Sequence, residues 1–100
     1  MNIDFDRLNK LRYRMFDLID REISRVGHHK SYEGNINIHL GNRWKPDEFY
    51  FELNCYCSPV ISGRDWVFYT LDELEAKLDE WEAVGFDEET ESYIYPEEKA

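Results

Sequence analysis

The first half of the chain begins with a helical pattern of apolar residues. Phe5, Leu8, Leu11, Met15, Phe16, Ile19, Ile23 and Val26 recur at spacings of three and four, which predicts an amphipathic helix over residues 4–26. Asp4 or Asn2 suits its N-cap, Asp6 its positive end and Gly27 its C-terminal stop. His28 to Ser31 connect it onward, and the period then changes to two. Tyr32, Ile36, Ile38 and Leu40 share one parity against Asn35, Asn37 and His39, the pattern of a half-buried strand. Gly41-Asn42-Arg43 reads as a turn, with Pro46-Asp47-Glu48 continuing the loop. Phe49 to Cys57 alternates again: Phe49, Phe51, Leu53, Cys55 and Cys57 point inward, and Tyr50, Glu52, Asn54 and Tyr56 outward. Pro59 ends that strand. After the Ser62-Gly63 turn, Asp65 to Tyr69 make a third, short strand. Three strands with short connections favour an antiparallel meander.

Thr70-Leu71-Asp72-Glu73 has the form of a capping box, with a hydroxyl at the cap and a carboxylate three residues on. Leu71, Leu74, Leu78 and Trp81 supply a buried stripe, so a second helix is expected over 71–84 with Gly85 closing it. The expectation is an α+β fold in the order α-β-β-β-α, with two amphipathic helices covering one face of a three-stranded antiparallel sheet. It forms a single domain over residues 1–86, followed by an acidic tail over 87–100. Ser92 to Tyr95 in that tail suit a short fourth edge strand before Pro96.

Composition agrees with one ordinary core. Of 100 residues, 42% are hydrophobic and 16% aromatic, too many for a disordered acidic polymer. No apolar run is long enough to span a membrane, and the polar, acidic start from Met1 to Asp6 is wrong for a secretory signal. Cys55 and Cys57, two apart in a strand, are expected to be reduced core residues. Together these features point to the cytoplasm.

Catalytic chemistry finds little footing. His28, His29 and His39 with Cys55 and Cys57 match no standard zinc spacing, and a strand-buried cysteine is a poor nucleophile. The carboxylates are too numerous and too helical for a glycosidase pair, and no phosphate-cradling glycine pattern occurs. The expectation is a non-enzymatic protein with no metal and no cofactor.

Charge changes the picture most. Residues 1–45 hold nine Lys/Arg against six Asp/Glu, whereas residues 46–100 hold three against sixteen, within a net charge of −10. That balance disfavours nucleic acid and anionic lipid as partners and favours a basic protein surface. Asp72, Glu73, Asp79 and Glu80 lie broadly opposite the apolar stripe of the second helix, flanked by Glu75 and Glu82. Asp87, Glu88, Glu89 and Glu91 follow directly, and Lys77 is the only base among them. A helix needing only solubility mixes signs, because Glu–Lys pairs each help by about 0.2–0.5 kcal/mol. These ten carboxylates are therefore the candidate docking surface. Arg7, Lys10, Arg14, Arg21 and Arg25 form a basic stripe on the first helix, open to phosphates, to a partner's acids or to the chain's own acids. Among the aromatics, Trp44 in its loop and Tyr50 and Tyr56 on the outer sheet face are candidate interface anchors.

The size, the α-β-β-β-α order and the acidic second helix from Thr70 to Trp81 resemble the small acidic proteins with which phages block bacterial defence, anti-CRISPR proteins in particular. The resemblance implies a stoichiometric inhibitor that occupies a nucleic-acid site on an effector complex in the host cytoplasm. The basic first helix departs from a pure nucleic-acid mimic. The same charge pattern would suit an immunity protein that neutralises a basic nuclease toxin. An assembly protein that oligomerises through the Tyr50/Tyr56 face or an edge strand is the third reading.

Overall fold

A computed structural model describes residues 3–26, 33–41, 43–44, 48–55 and 65–96. The order is α1 (Phe5–Val26), β1 (Gly34–Leu40), β2 (Phe49–Cys55), β3 (Asp65–Phe68), α2 (Leu71–Glu82), β4 (Gly85–Asp87) and β5 (Ser92–Ile94). This is the expected α+β class, extended by a terminal hairpin. The Gly27 stop, the His28 to Ser31 connector, Tyr32, Pro46-Asp47, Tyr56, Cys57, Pro59 and the Ser62-Gly63 turn lie outside the described residues.

The sheet is an antiparallel meander in the order β1-β2-β3. Its register sets Ile36 opposite Leu53 and Leu53 opposite Trp66, and sets Ile38 opposite Phe51 and Phe51 opposite Phe68. These cross-strand rows form the floor of the core. The opposite parity makes a polar outer face. There Asn37 donates to Asn35 Oδ1 and Asn54 Oδ1, Asn54 donates to Asp65, and His39 stacks on Tyr50 at 4.7 Å.

Leu8, Leu11, Met15, Leu18, Leu74, Leu78, Trp81 and Val84 close the core from above, all buried. The stripe on α1 is not quite the expected one. Phe5 and Phe16 stay exposed on its flank, and Leu18 takes their place in the core. The buried set follows a heptad, Leu8-Leu11-Met15-Leu18, against Leu71-Leu74-Leu78-Trp81 on α2, as in a coiled-coil seam. Leu40, expected inside, is exposed at the end of β1.

Local signals explain most element ends. Asp4 Oδ1 accepts from the Arg7 N–H and caps α1, and Thr70 Oγ1 accepts from the Glu73 N–H and caps α2. Glu73 reaches back to the Tyr69 N–H, one residue short of a standard capping box. Gly41 turns the chain at φ 62°, which a glycine adopts without strain. Gly85 is not the stop of α2. The helix ends at Glu82 with Ala83 as its C-cap, and Gly85 opens β4. The expected edge strand at 92–95 exists as β5, but it pairs with β4 in a separate two-stranded sheet instead of joining the meander. Phe86 and Tyr93 face each other across that hairpin at 5.2 Å.

Candidate functional site

The charged surface is built by the two helices lying side by side in parallel. Their seam aligns Arg7 with Asp72 and Arg14 with Asp79, so one heptad on α1 matches one heptad on α2. Arg7 reaches Asp72 at 2.6 Å and Glu75 at 3.5 Å; Arg14 reaches Asp79 at 2.6 Å and Glu82 at 3.0 Å. The hydrogen bond to Asp72 holds the Arg7 guanidinium above its ordinary pKa. Partial burial pulls Arg14 down, but Asp79 and Glu82 together outweigh it and raise its pKa too.

Further along, the same stripe does a different job. The last turn of α2 carries no basic residue of its own. Arg21 donates to the carbonyls of Trp81 and Glu82, and Arg25 donates to the carbonyl of Val84. These two side chains bond carbonyls in and just beyond the last turn, Trp81's already accepting the Val84 N–H, and place positive charge at the negative end of the helix. Both also hold Glu22, whose side chain is fully buried. Glu22 continues the Leu8–Met15 heptad position into the seam, and its Oε2 accepts from Trp81 Nε1 at 2.8 Å. A buried carboxylate is tolerated only when paired and hydrogen-bonded, and here three donors meet it.

The expectation of an uncompensated acidic helix is thereby corrected for Asp72, Glu75, Asp79 and Glu82, whose counter-charges come from α1. Glu80 pairs with Lys77 at 3.1 Å, and Glu73 is engaged in the cap. What remains is the turn between β4 and β5. Asp87, Glu88, Glu89 and Glu91 meet no cation there among the described residues; Asp87 Oδ1 accepts the Glu89 N–H, and Glu91 adopts a left-handed φ of 54°. Four carboxylates in five residues project from a hairpin that the tail reading did not anticipate.

Protein-family models, curated proteins and solved structures were each compared with the chain, and none matches it.

The aromatic candidates separate. Trp44 is 78% exposed, with the Arg43 guanidinium 5.1 Å from its ring centroid. Tyr50 is half-buried under His39 and lies 6.3 Å from Tyr69, so it belongs to the outer sheet face as expected. Tyr56 lies outside the described residues.

Glu22 was missed because a glutamate in the middle of a helix reads as surface. Part of its signal was available: the heptad 8-15-22 on α1 places it where an apolar residue belongs, whereas its bond to Trp81 is seen only in the structure. Among the described residues, no group of three or more His, Cys, Asp or Glu is arranged to hold a metal ion. No helix among them is long and apolar enough to cross a membrane.

Proposed function

We propose that the protein is a non-enzymatic, stoichiometric inhibitor that binds a basic surface on a protein effector, in the manner of anti-CRISPR proteins. A groove built for nucleic acid is the kind of surface that fits. The observation that supports this is the acidic β4–β5 turn, where Asp87, Glu88, Glu89 and Glu91 carry charge that nothing among the described residues answers. The net charge of −10 adds long-range steering towards a cationic partner. The docking charge moves accordingly to the hairpin from the α2 face, where five of six carboxylates are ion-paired and the sixth, Glu73, serves the cap. Trp44, exposed at the β1–β2 end, is the candidate for a desolvated anchor.

The test is capture from lysate of the native host at low and high salt, with mass spectrometry of what elutes. The expected partner is a nucleic-acid-binding protein whose retention falls steeply with salt and is competed by nucleic acid. A partner held equally at low and high salt, or indifferent to added nucleic acid, overturns the reading.

A further inference from the structure

The flank of α1 turned away from α2 is left open beside the sheet. Phe5 and Phe16, 61% and 37% exposed, line with Leu8, Arg12 and Ile38 a groove of about 440 Å³ between α1 and β1. β1 is an outer strand, and no described strand pairs with its far side. It contains no Lys, Asp, Glu or Pro, and its register with β2 runs unbroken from Gly34 to Leu40. It therefore lacks the charges, prolines and bulges that normally keep edge strands from pairing.

Two charges share this flank. Arg12 donates to Asn9 Oδ1 at 2.9 Å and lies 6.0 Å from the Phe16 ring, with no carboxylate partner among the described residues. Asp20 meets no cation among them. A helical step of about 100° puts Asp20 within about 40° of Phe16 around the axis, and Arg12 equally far on its other side. Phe16 thus lies midway between one positive and one negative charge, a pattern complementary to its own copy turned through half a revolution.

We propose that this face joins a second copy of the chain. The two β1 strands pair antiparallel across a two-fold axis, and the two α1 helices pack antiparallel above them. Phe16 meets its mate near the axis, and Arg12 of each copy faces Asp20 of the other. One axis serves both elements, because Gly34 lies beside Ile19 while Ile38 shares the groove with Phe5 and Leu8. Such an isologous contact needs a self-complementary patch, and this one has it. Overall charge points the same way. The acid-rich α2 lies on the opposite side of α1, beyond the arginine ladder, so the joined copies keep their most negative helices apart. The proposal is independent of what the acidic hairpin binds.

Sedimentation equilibrium at tens of micromolar is expected to give twice the chain mass of 12.1 kDa. Arg12→Asp and Asp20→Arg each set like charges against each other twice across the axis, and each should weaken the dimer by about a hundredfold or more. Mixing the two variants restores both pairs in a heterodimer, and the double variant Arg12→Asp/Asp20→Arg restores the homodimer. Both positions are exposed, and a far-UV circular dichroism melt of each variant verifies that it folds. A wild-type chain that stays monomeric overturns the proposal. So do single variants that dimerise like the wild type, or a mixture of them that yields no heavier species.

Discussion

Replacing Glu22 by glutamine exchanges one oxygen for an amide nitrogen at the centre of the helix seam. The remaining carbonyl oxygen still accepts from Trp81 Nε1, which lies 2.8 Å from the carboxylate. The bonds from Arg21 at 3.0 Å and Arg25 at 3.3 Å lose their negative acceptor. Charge-assisted hydrogen bonds are each worth about 1.5–3 kcal/mol. Both arginines keep backbone carbonyls at the end of α2 or just past it and remain about a quarter exposed or less, so water and those carbonyls recover part of the loss. The expected net cost is about 2 kcal/mol, which at about 4–8 °C per kcal/mol lowers the melting temperature by roughly 8–16 °C. Glu22→Ala also leaves the buried indole N–H without an acceptor and opens a cavity, for a total of about 4 kcal/mol. Glu22→Leu is the sharper variant, because it supplies the apolar residue that the heptad asks for. It still strands the indole N–H and two cations, so it should rank with alanine. Urea unfolding followed by tryptophan fluorescence and far-UV circular dichroism reads all three. If Glu22→Leu matched or exceeded the wild type, the seam would simply prefer an apolar residue, and the account of Glu22 as a required acceptor would be wrong.

Other perturbations test the remaining contacts. Arg21→Ala removes a donor to the buried Glu22 carboxylate as well as the bonds to the Trp81 and Glu82 carbonyls and should cost about 2–3 kcal/mol, with faster amide exchange in the last turn of α2 and around Glu22 in α1. Arg14→Ala, at a largely solvated pair, should cost about 1 kcal/mol at most, and that cost should shrink in high salt, which a paired denaturation series at two ionic strengths would show. Gly34→Ala would place a Cβ 2.8 Å from the Asn54 carbonyl oxygen and 3.3 Å from Ile19 Cδ1, and the backbone oxygen cannot swing aside. About 1–3 kcal/mol of destabilisation is expected, measurable by thermal melt. Because the carboxylates facing Arg7 and Arg14 raise their folded-state pKa values above the ordinary guanidinium value, the stabilisation is complete below that ordinary value and lost only as pH rises through the raised ones. A pH titration of stability between about pH 6 and 10 should therefore show no loss arising from the arginine side of the ladder.

The fold was largely legible because periodicity carries most of it. Alternation from Asn35 to Leu40 and from Phe49 to Cys55 located two strands with their inward faces, and Thr70 with Glu73 marked the start of α2. What escaped were features that depend on a neighbour elsewhere in the chain. Phe5 and Phe16 satisfy helical spacing, but the packing partner of α1 is a helix on one side and the rim of a sheet on the other, so the flank stays open. Leu18 and Glu22 become visible only when the two heptads are aligned. The basic stripe on α1 had three candidate partners by sequence alone, and register with α2 selected the internal one. The terminal hairpin was hidden by its short strands: Gly85 looks like a helix stop, and Ser92 to Ile94 are too few residues to reveal their partner.

Two sets of acids divide the labour: those on α2 hold the helices together, and those on the hairpin face outward. Binding of the captured partner to a Glu88→Lys/Glu89→Lys/Glu91→Lys variant tests this division most directly, with a melt run on the same sample. The account predicts an unchanged melting temperature and a partner no longer retained at any salt concentration. Full retention of the partner by a folded variant would contradict it.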